Sequence, residues 1–387
     1  MIGAMSPTLA VSQRLKVLVA MSGGVDSSYA AALLAGQGHE VLGVTLRVWQ
    51  DKNPAFAKDA CDTDPGAPSK RSRSCCGAQD MRDAGAVARS QGFPHYVLDY
   101  EDRFRAEVID GFVSEYLAGR TPNPCVACND KLKFGPLLQA AEGLGCAKLA
   151  TGHYARLTQD ADGGFHLSKA KDLSKDQTYF LYKLTQPQLS RLLFPLGELN
   201  KAEVRKESQG MGLPTADKAE SMDICFVPRG DYGAVLKVYA PQSQQTGPIV
   251  DQSGKVLGEH EGLAFFTVGQ RKGLGVAGGE PLYVLKLDRV RNAVVVGPEA
   301  GLLQRRAIGS GASFTSQPRS LPTEPFRCRV KIRSSHPGAE ATVGPLNEGR
   351  WSILFDEPQR AITPGQAAVF YDGDECIGGL TLDEAGS

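Results

Sequence analysis

The chain has no excess of charge of either sign, since 43 Lys plus Arg are balanced by 43 Asp plus Glu in 387 residues. Binding of a polyanion through overall charge is excluded, and any such partner must be met by a local patch. No stretch approaches the roughly 18 to 20 consecutive apolar residues that cross a bilayer. The first fifteen residues, MIGAMSPTLAVSQRL, contain neither a signal-peptide apolar region nor an Arg-rich presequence. The expectation is a cytoplasmic protein with no membrane partner. Internal repeats are not evident. Cysteine occurs nine times, an odd number. In a chain long enough to bury its own core this reads as reduced thiols with chemical or packing roles, not as a disulfide framework. With 22% charged and 42% hydrophobic residues the composition is that of an ordinary globular protein with two or three domains.

What is present is an alternation. LKVLVA at 15–20 is a short apolar run that ends in MSGGVDS, and SSYAAALLAGQG follows with helical composition and closing glycines. VLGVTLRVW, AGAVARSQG, PHYVLDY and FRAEVIDGFVSEYLAG continue as strand, helix, strand and helix, followed by KFGPLLQAAEGLG and KLATGHYA. This predicts a parallel sheet covered on both faces. Between Asp51 and Ser74 the chain is polar and contains proline, ending in Lys70, Arg71 and Arg73. An insertion is expected there, either a solvated loop or an RNA contact. From about Arg229 glycine and proline become dense, and apolar runs shorten to FFTVG, LYVLKLD, NAVVVG, FRCRVKI, WSILF and AAVFYDG. The predicted class is α/β. A parallel-sheet nucleotide-binding catalytic domain over 1–228 is followed by a small middle domain over 229–299 and a β-barrel over 300–387.

Ser22-Gly23-Gly24-Val25-Asp26-Ser27 stands where a strand delivers the chain to a helix N-terminus. Its glycines admit close backbone approach and its amides can face an anion. Ser22 and Ser27 can donate hydrogen bonds, and Asp26 can help to hold Mg²⁺. The Lys of the GxxxxGK[ST] loop is missing, so the usual kinase or GTPase reading fails. The hexamer resembles the PP-loop pyrophosphatase motif SGGxDS. That resemblance implies an adenine nucleotide α-hydrolase-like domain, which splits ATP between the α and β phosphates and places AMP on a carbonyl or carboxylate oxygen. A plain Gly-Gly turn is the alternative.

Thr121-Pro122-Asn123-Pro124-Cys125-Val126-Ala127-Cys128-Asn129 has two prolines that fix the backbone, then a CxxC before a predicted helix, where the dipole and orphan amides favour thiolate. CxxC alone allows redox chemistry, zinc or an iron–sulfur cluster, and no second CxxC completes a four-thiolate zinc site. Cys225, within Glu220-Ser221-Met222-Asp223-Ile224-Cys225-Phe226, lies near the expected first domain boundary; a lone cysteine more often packs than reacts. Cys61, Cys146, Cys328 and Cys376 read as core or incidental. The adjacent Cys75 and Cys76 cannot easily pair with each other and receive no role.

Residues 302–335 carry Arg305, Arg306, Arg319, Arg327, Arg329, Lys331 and Arg333 against one acid, Glu324. In FRCRVKIR the basic residues alternate with Cys328, Val330 and Ile332, so one strand would turn an apolar face inward and a cationic face outward. Phosphate contact is the function this suggests, and a solvated strand face is the alternative.

Eight motifs in order cover nearly the whole chain: AMSGGVDSS, GRTPNPCVACN, ATGHYAR, KDQTYFLY, FPLGELNKAEVR, ESMDICF, TVGQRKGLG and TPGQAAVFYDGDECIGG. Together they resemble the tRNA-specific 2-thiouridylase family. The resemblance implies an enzyme that replaces the C2 oxygen of the wobble uridine, position 34, with sulfur in the tRNAs for Lys, Glu and Gln, releasing AMP and pyrophosphate. The implied ATP positions are Ala20, Met21, Ser22, Gly23, Gly24, Val25, Asp26 and Ser27, with Leu46 and Gly152 around the adenosine. Asp26 would align Mg²⁺ and the triphosphate. Cys225 matches the cysteine that receives sulfur as a persulfide, from a cysteine desulfurase or a sulfur-relay protein, and Cys128 matches its partner cysteine. A Cys128–Cys225 disulfide left after direct sulfur delivery, and release of hydrogen sulfide as the attacking species, both stay open.

An unpaired wobble uridine can be extruded into a pocket. Asn123, Pro124 and Cys125 match the family's target-base segment. His153, Lys175, Asp176, Gln177, Arg333, Ser334 and Gln366 match its tRNA-contacting positions. The position of Cys125 need not be cysteine in this family. It is either a bystander or, as in related tRNA thiolation enzymes, joins Cys128 and Cys225 in holding three irons of a [4Fe–4S] cluster.

Overall fold

The computed structural model describes residues 14–48, 77–220, 224–227, 230–276, 280–315 and 322–386. The 51–74 segment with Lys70, Arg71 and Arg73 lies outside the described residues, as do Cys61, Cys75, Cys76 and Arg319.

The first part of the chain supplies β1 (Lys16–Ala20), β2 (Glu40–Arg47), β3 (His95–Asp99), β4 (Lys148–Thr151), β5 (Ala155–Gln159), β6 (Phe165–Lys169) and β7 (Leu192–Leu193). Five of them form a wholly parallel sheet in the order β3-β2-β1-β4-β7. β1 is apolar without alternation because both of its faces are covered. Leu18 enters one core cluster, and Val17 and Val19 enter another. Helices α1 (Val25–Gly36) and α2 (Ala78–Gln91) cover the Val17 face. Helices α3 (Asp110–Leu117) and α4 (Pro124–Cys128) cover the Leu18 face through Phe112, Val113, Tyr116 and Val126. Helix α5 (Lys201–Gly210) returns to the first face through Val204, and α6 (Tyr232–Tyr239) adds Val235 and Leu236 to the second.

A four-stranded sheet follows, β8 (Gly247–Val250), β9 (Val256–His260), β10 (Tyr283–Asp288) and β11 (Ala293–Gly297), in the order β10-β11-β8-β9. The FFTVG run is not a strand. Leu263–Phe265 makes a 3₁₀ turn, Phe266 plugs the small core beside Ile249 and Val284, and the Gln270 side chain accepts the Thr267 N–H at 3.0 Å. Apolar residues there fill a core instead of extending a ladder.

The last strands are β12 (Leu303–Phe314), β13 (Phe326–Lys331), β14 (Ala339–Pro345), β15 (Trp351–Arg360), β16 (Ala367–Asp372) and β17 (Glu375–Gly386). They run antiparallel in the order β12-β15-β14-β13-β16-β17, and β12 pairs with β17 to close a barrel. Closure removes the unpaired edges of an open sheet. Val330, Val343, Ile353, Phe355, Phe370 and Leu380 fill its interior. The β5–β6 hairpin belongs to the first body by sequence but joins the barrel sheet, with Ser168 paired to Glu375. Among the described residues no helix is long and apolar enough to cross a membrane.

Candidate active site

The sheet order makes β1 the turning point, with β2 and β3 on one side and β4 and β7 on the other. A crevice therefore opens beyond the carboxyl ends of β1 and β4, where ligands of such sheets bind. The loop leaving β1 is tied to β2, since the Met21 N–H donates to the Val44 carbonyl at 2.7 Å and the Thr45 hydroxyl to the Met21 carbonyl at 2.8 Å. Gly23 has φ +72°, and a Cβ there would fall 2.3 Å from the Asp80 carbonyl oxygen, so the loop passes under α2 only as glycine. Gly24 caps α1 in an extended conformation with no side-chain cap, which leaves the first amides of α1 open to an anion. The Ser22 N–H donates to Ser27 Oγ at 3.0 Å, and the two hydroxyls lie 3.2 Å apart. Gly152, just past β4, backs onto this turn, and a Cβ on it would stand 2.7 Å from the Ser27 nitrogen. Ser22, Gly24, Val25 and Asp26 line a cleft of about 220 Å³. Ala20 is half-buried, while Met21 and Leu46 are buried in the core beneath it.

The cleft holds matched charges. Asp26, the acid of the first turn of α1, accepts the Tyr154 hydroxyl at 2.8 Å, and Lys201 Nζ lies 2.7 Å from both of its oxygens. Lys201 is 8% exposed and starts α5, where its N–H donates to Asp172 at 3.0 Å. It also lies 3.2 Å from Glu220, which takes Lys175 at 2.7 Å. Burial works to raise the Glu220 carboxyl, but the hydrogen bonds from Lys175 and Lys201 outweigh it and hold the pKa at about 2. Burial, and then the Asp26 charge, push the Tyr154 phenol upward, so it stays a neutral donor. Lys218 donates to the Gly23 carbonyl at 2.9 Å and to Asp80 at 2.6 Å, and also pairs with Asp83. Those acids outweigh the burial that would lower its pKa. Lys201, Tyr154, Glu220 and Lys218 are not among the residues expected from sequence.

Two thiols border one large core cluster. Asn123 Oδ1 accepts the Val126 N–H at 3.3 Å and so caps α4, whose Val126 is buried. The next residue, Asn129, donates to the Phe180 carbonyl at 3.1 Å. Cys128 and Cys225 are half-buried on the margin of the same core cluster. Phe226 pins the second of them, with ring centroids 5.6 Å from Phe104 and 5.1 Å from Phe112. Cys125 is exposed and lies outside that cluster. Among the described residues no three His, Cys, Asp or Glu side chains converge as metal ligands. The three-thiolate set expected of Cys125, Cys128 and Cys225 for a [4Fe–4S] cluster is therefore not supported. Cys146, Cys328 and Cys376 are buried, and burial pushes the Cys328 thiol up to about 12.

Residues 15–229 match the family described as tRNA methyl transferase HUP domain, 233–298 the tRNA methyl transferase PRC-barrel domain, and 307–382 the aminomethyltransferase beta-barrel domain. The chain is also 48% identical over 369 residues to the tRNA-specific 2-thiouridylase MnmA of Magnetococcus marinus, covering 95% of this chain and 99% of that one. The chain belongs to the tRNA-specific 2-thiouridylase family. The 2-thiouridylase of Chloroflexus aurantiacus is 47% identical over 363 residues, covering 94% of this chain and 97% of its own. That of Geobacter metallireducens is 47% identical over 373 residues, covering 96% and 98%.

Within this 2-thiouridylase architecture the expected tRNA-contacting residues separate. Lys175 and Gln177 line the nucleotide cleft, and Gln177 Oε1 accepts the Tyr154 N–H at 2.9 Å. Asp176 is an internal acceptor for Ala170 N at 3.2 Å and Thr178 Oγ1 at 2.9 Å. His153 bonds Thr151 Oγ1 at 2.8 Å, with the rings of Phe134 and Phe194 at 5.9 and 6.2 Å. Burial, then the nearby Lys133, drives its pKa well below the ordinary value. Arg333 donates to the Arg360 carbonyl at 3.1 Å, Ser334 is exposed, and Gln366 Nε2 donates to the Thr121 carbonyl at 2.9 Å. None of these three lines the nucleotide cleft.

The basic strand alternates as expected, with Cys328 and Val330 buried and Arg327 and Arg329 exposed. Its cationic surplus is smaller than the linear count. Arg327 forms a two-pronged pair with Asp356 at 2.7 and 2.6 Å, and Arg329 pairs with Glu340 at 2.9 Å. Those acids arrive from β15 and β14, which a count along one stretch of sequence does not see.

Proposed function

We propose that this protein is an ATP-dependent tRNA-uridine 2-sulfurtransferase acting on C2 of the wobble uridine in the tRNAs for Lys, Glu and Gln, in the cytoplasm. The observation that carries the reading is an anion cradle at the turning point of a parallel sheet in a chain that also sets two half-buried thiols, Cys128 and Cys225, on one core margin.

A uridine C2 carbonyl does not lose its oxygen to a sulfur nucleophile, because oxide is too poor a leaving group. Attack of that oxygen on the α-phosphorus of ATP breaks the bond to the β-phosphate; pyrophosphate leaves and the oxygen carries AMP. The amides that open α1, with Lys175 and Lys201, would take up the charge that moves onto pyrophosphate. Asp26 would help to hold Mg²⁺, which would offset triphosphate charge. The terminal sulfur of a persulfide on Cys225, supplied by a cysteine desulfurase or a relay protein, then attacks C2, and AMP departs. The Cys128 thiolate attacks Cys225 Sγ and the S–S bond breaks. The electron pair stays on the base sulfur as 2-thiouridine, and a Cys128–Cys225 disulfide remains for two-electron reduction by an external thiol. In the other order Cys128 attacks the persulfide first, the released hydrogen sulfide attacks C2, and the same disulfide results.

The test is nucleoside mass spectrometry of unmodified glutamate tRNA after incubation with the protein, Mg-ATP, a desulfurase and cysteine. The expected result is an oxygen-to-sulfur mass change at uridine 34 that is lost in Asp26→Ala and Cys225→Ala. Sulfur incorporation that persists in Cys225→Ala, or none with wild-type protein that binds the tRNA, overturns the reading.

A further inference from the structure

The anion cradle contains a peptide that its own two residues do not orient. Glycine takes positive and negative φ about equally, so the peptide between Gly23 and Gly24 can turn either its carbonyl or its N–H toward the cleft. The two groups are anti across a planar trans unit, and fixing one fixes the other. The choice matters, because a row of N–H groups binds a phosphate and a carbonyl in that row repels it.

The carbonyl is taken by Lys218. Its Nζ donates to the Gly23 carbonyl at 2.9 Å, so the Gly24 N–H is held in the opposite direction. Gly24 lines the cleft and Gly23 does not.

Lys218 is itself fixed from α2. An ammonium has three N–H donors, and this one meets three acceptors: the Gly23 carbonyl, Asp80 at 2.6 Å, and Asp83. The two acids are three residues apart on α2 and therefore share a face. Each is anchored in turn, as Asp80 Oδ2 accepts the Gly77 N–H at 3.0 Å and Asp83 Oδ1 accepts Gln79 Nε2 at 2.6 Å. The Lys218 N–H donates to the Thr215 carbonyl at 3.0 Å, which holds its backbone. Lys218 thus borders the cleft with every donor of its ammonium engaged. Two carboxylates against one ammonium also leave the group net negative, the wrong sign for a phosphate ligand.

We propose that Lys218 is a positioning residue for the nucleotide loop: it latches the Gly23–Gly24 peptide with the N–H turned to the anion, and does so from α2 without touching the phosphates. The nucleotide-binding expectation rests on the ATP reading above; the state of the loop in the free protein does not.

The test variant combines Lys218→Met with Asp83→Asn, which removes the latch and leaves the net charge of the group unchanged. It is compared with wild type and Lys218→Arg as full-length protein. With glycine labelled by ¹³C at the carbonyl and ¹⁵N at the amide, only the four Gly-Gly peptides of the chain give carbonyl-to-amide correlations in NMR spectra. The Gly23–Gly24 signal is assigned by its loss in Gly24→Ala. Calorimetry gives the dissociation constants of Mg-ATP and of inorganic pyrophosphate.

In nucleotide-free protein the Gly23–Gly24 signal of the double variant is expected to shift or broaden, as that of a peptide turning over does, while Lys218→Arg stays near wild type. Both dissociation constants rise about tenfold in the double variant, the factor for a loop that is competent about one tenth of the time. Lys218→Arg recovers most of that loss. Weaker binding with an unchanged Gly23–Gly24 signal overturns the proposal and makes Lys218 a phosphate contact. Unchanged binding overturns it as well. If wild type binds neither ATP nor pyrophosphate, the ATP reading falls and the signal of the free protein still decides the latch. Should the double variant fail to fold, Lys218→Gln with Asp83→Asn keeps a polar group beside Asp80 and carries the same comparison.

Discussion

Lys201 grips Asp26 from 175 residues away in the chain, its ammonium nitrogen 2.7 Å from each carboxylate oxygen. The pair fixes the acid at the mouth of the anion cradle, and Glu220 and Tyr154 hold the lysine and the acid in turn.

Replacing Lys201 with Met keeps the length of the side chain and removes the cation. Asp26 and Glu220 then face each other without their shared counterion. Tyr154 cannot replace it, because its phenol stays neutral. The expected outcome is a loss of tRNA-dependent pyrophosphate release of about 10²-fold or more, the scale of a lost electrostatic stabiliser. Lys201→Arg should retain part of the rate. Equal rates for Met and Arg variants would show that the cation is dispensable.

Gly152→Ala places a methyl group 2.7 Å from the Ser27 nitrogen, and backbone cannot swing aside as a side chain can. Overpacking of this kind costs about 1–3 kcal/mol. Calorimetric ATP affinity should fall about tenfold or more, since each 1.4 kcal/mol is one decade. Gly36→Ala, at the far end of α1, is the matched control: its added carbon meets nothing within 4 Å. Equal ATP affinity in the two variants would contradict the steric account.

His166 bridges Asp160 at 2.9 Å and Glu375 at 2.8 Å, joining the β5–β6 hairpin to the barrel. The hydrogen bonds to Asp160 and then Glu375 raise its pKa above the ordinary 6.5. A raised folded-state pKa contributes stability that is fully present below 6.5 and is lost as pH rises through the folded value. Asp160 is depressed by His166 and then by the Gly164 amide, so its own share is lost as pH falls through that lower value. The melting temperature of wild type should exceed that of His166→Asn near pH 6, and the difference should shrink toward pH 9. A difference independent of pH would assign His166 to packing alone.

Asp356 neutralises Arg327 on the barrel surface. If this face meets tRNA phosphates, Asp356→Asn frees a cation, tightens tRNA binding at low salt and steepens the salt dependence by about one unit of log–log slope. Filter binding across a salt series measures it. An unchanged slope would place the tRNA on another face.

The sequence carried the strand–loop–helix at 15–36 and the barrel strands because each is written in contiguous residues. A doubly covered strand is apolar throughout, and a barrel strand such as FRCRVKI alternates. The FFTVG run shows the limit, since five apolar-rich residues suit a strand and a core plug equally. The SGGVDS loop was legible for the same local reason. Its supporting lysines were not, because Lys201, Lys218 and Glu220 come to the cleft from the far end of the domain. The capped Asn200-Lys201 start with Glu203 three residues on marks a helix beginning, and nothing in that pattern says which acid the lysine meets. The cancellation of Arg327 and Arg329 was hidden likewise, because their acids lie on other strands.

The pairing of Ser168 with Glu375 also sets an order of events at the ribosome. The β5–β6 hairpin is synthesised about 200 residues ahead of its sheet partner, since Ser168 pairs with Glu375. Until then β6 presents an uncovered strand edge, the kind of surface on which nascent chains associate wrongly. Arg120 and Thr121 wait for the same stretch, since their partners lie at 364–366 and 382–383. A ribosome stalled before residue 364 would carry a nucleotide domain with its sheet formed and its thiol helix not yet anchored.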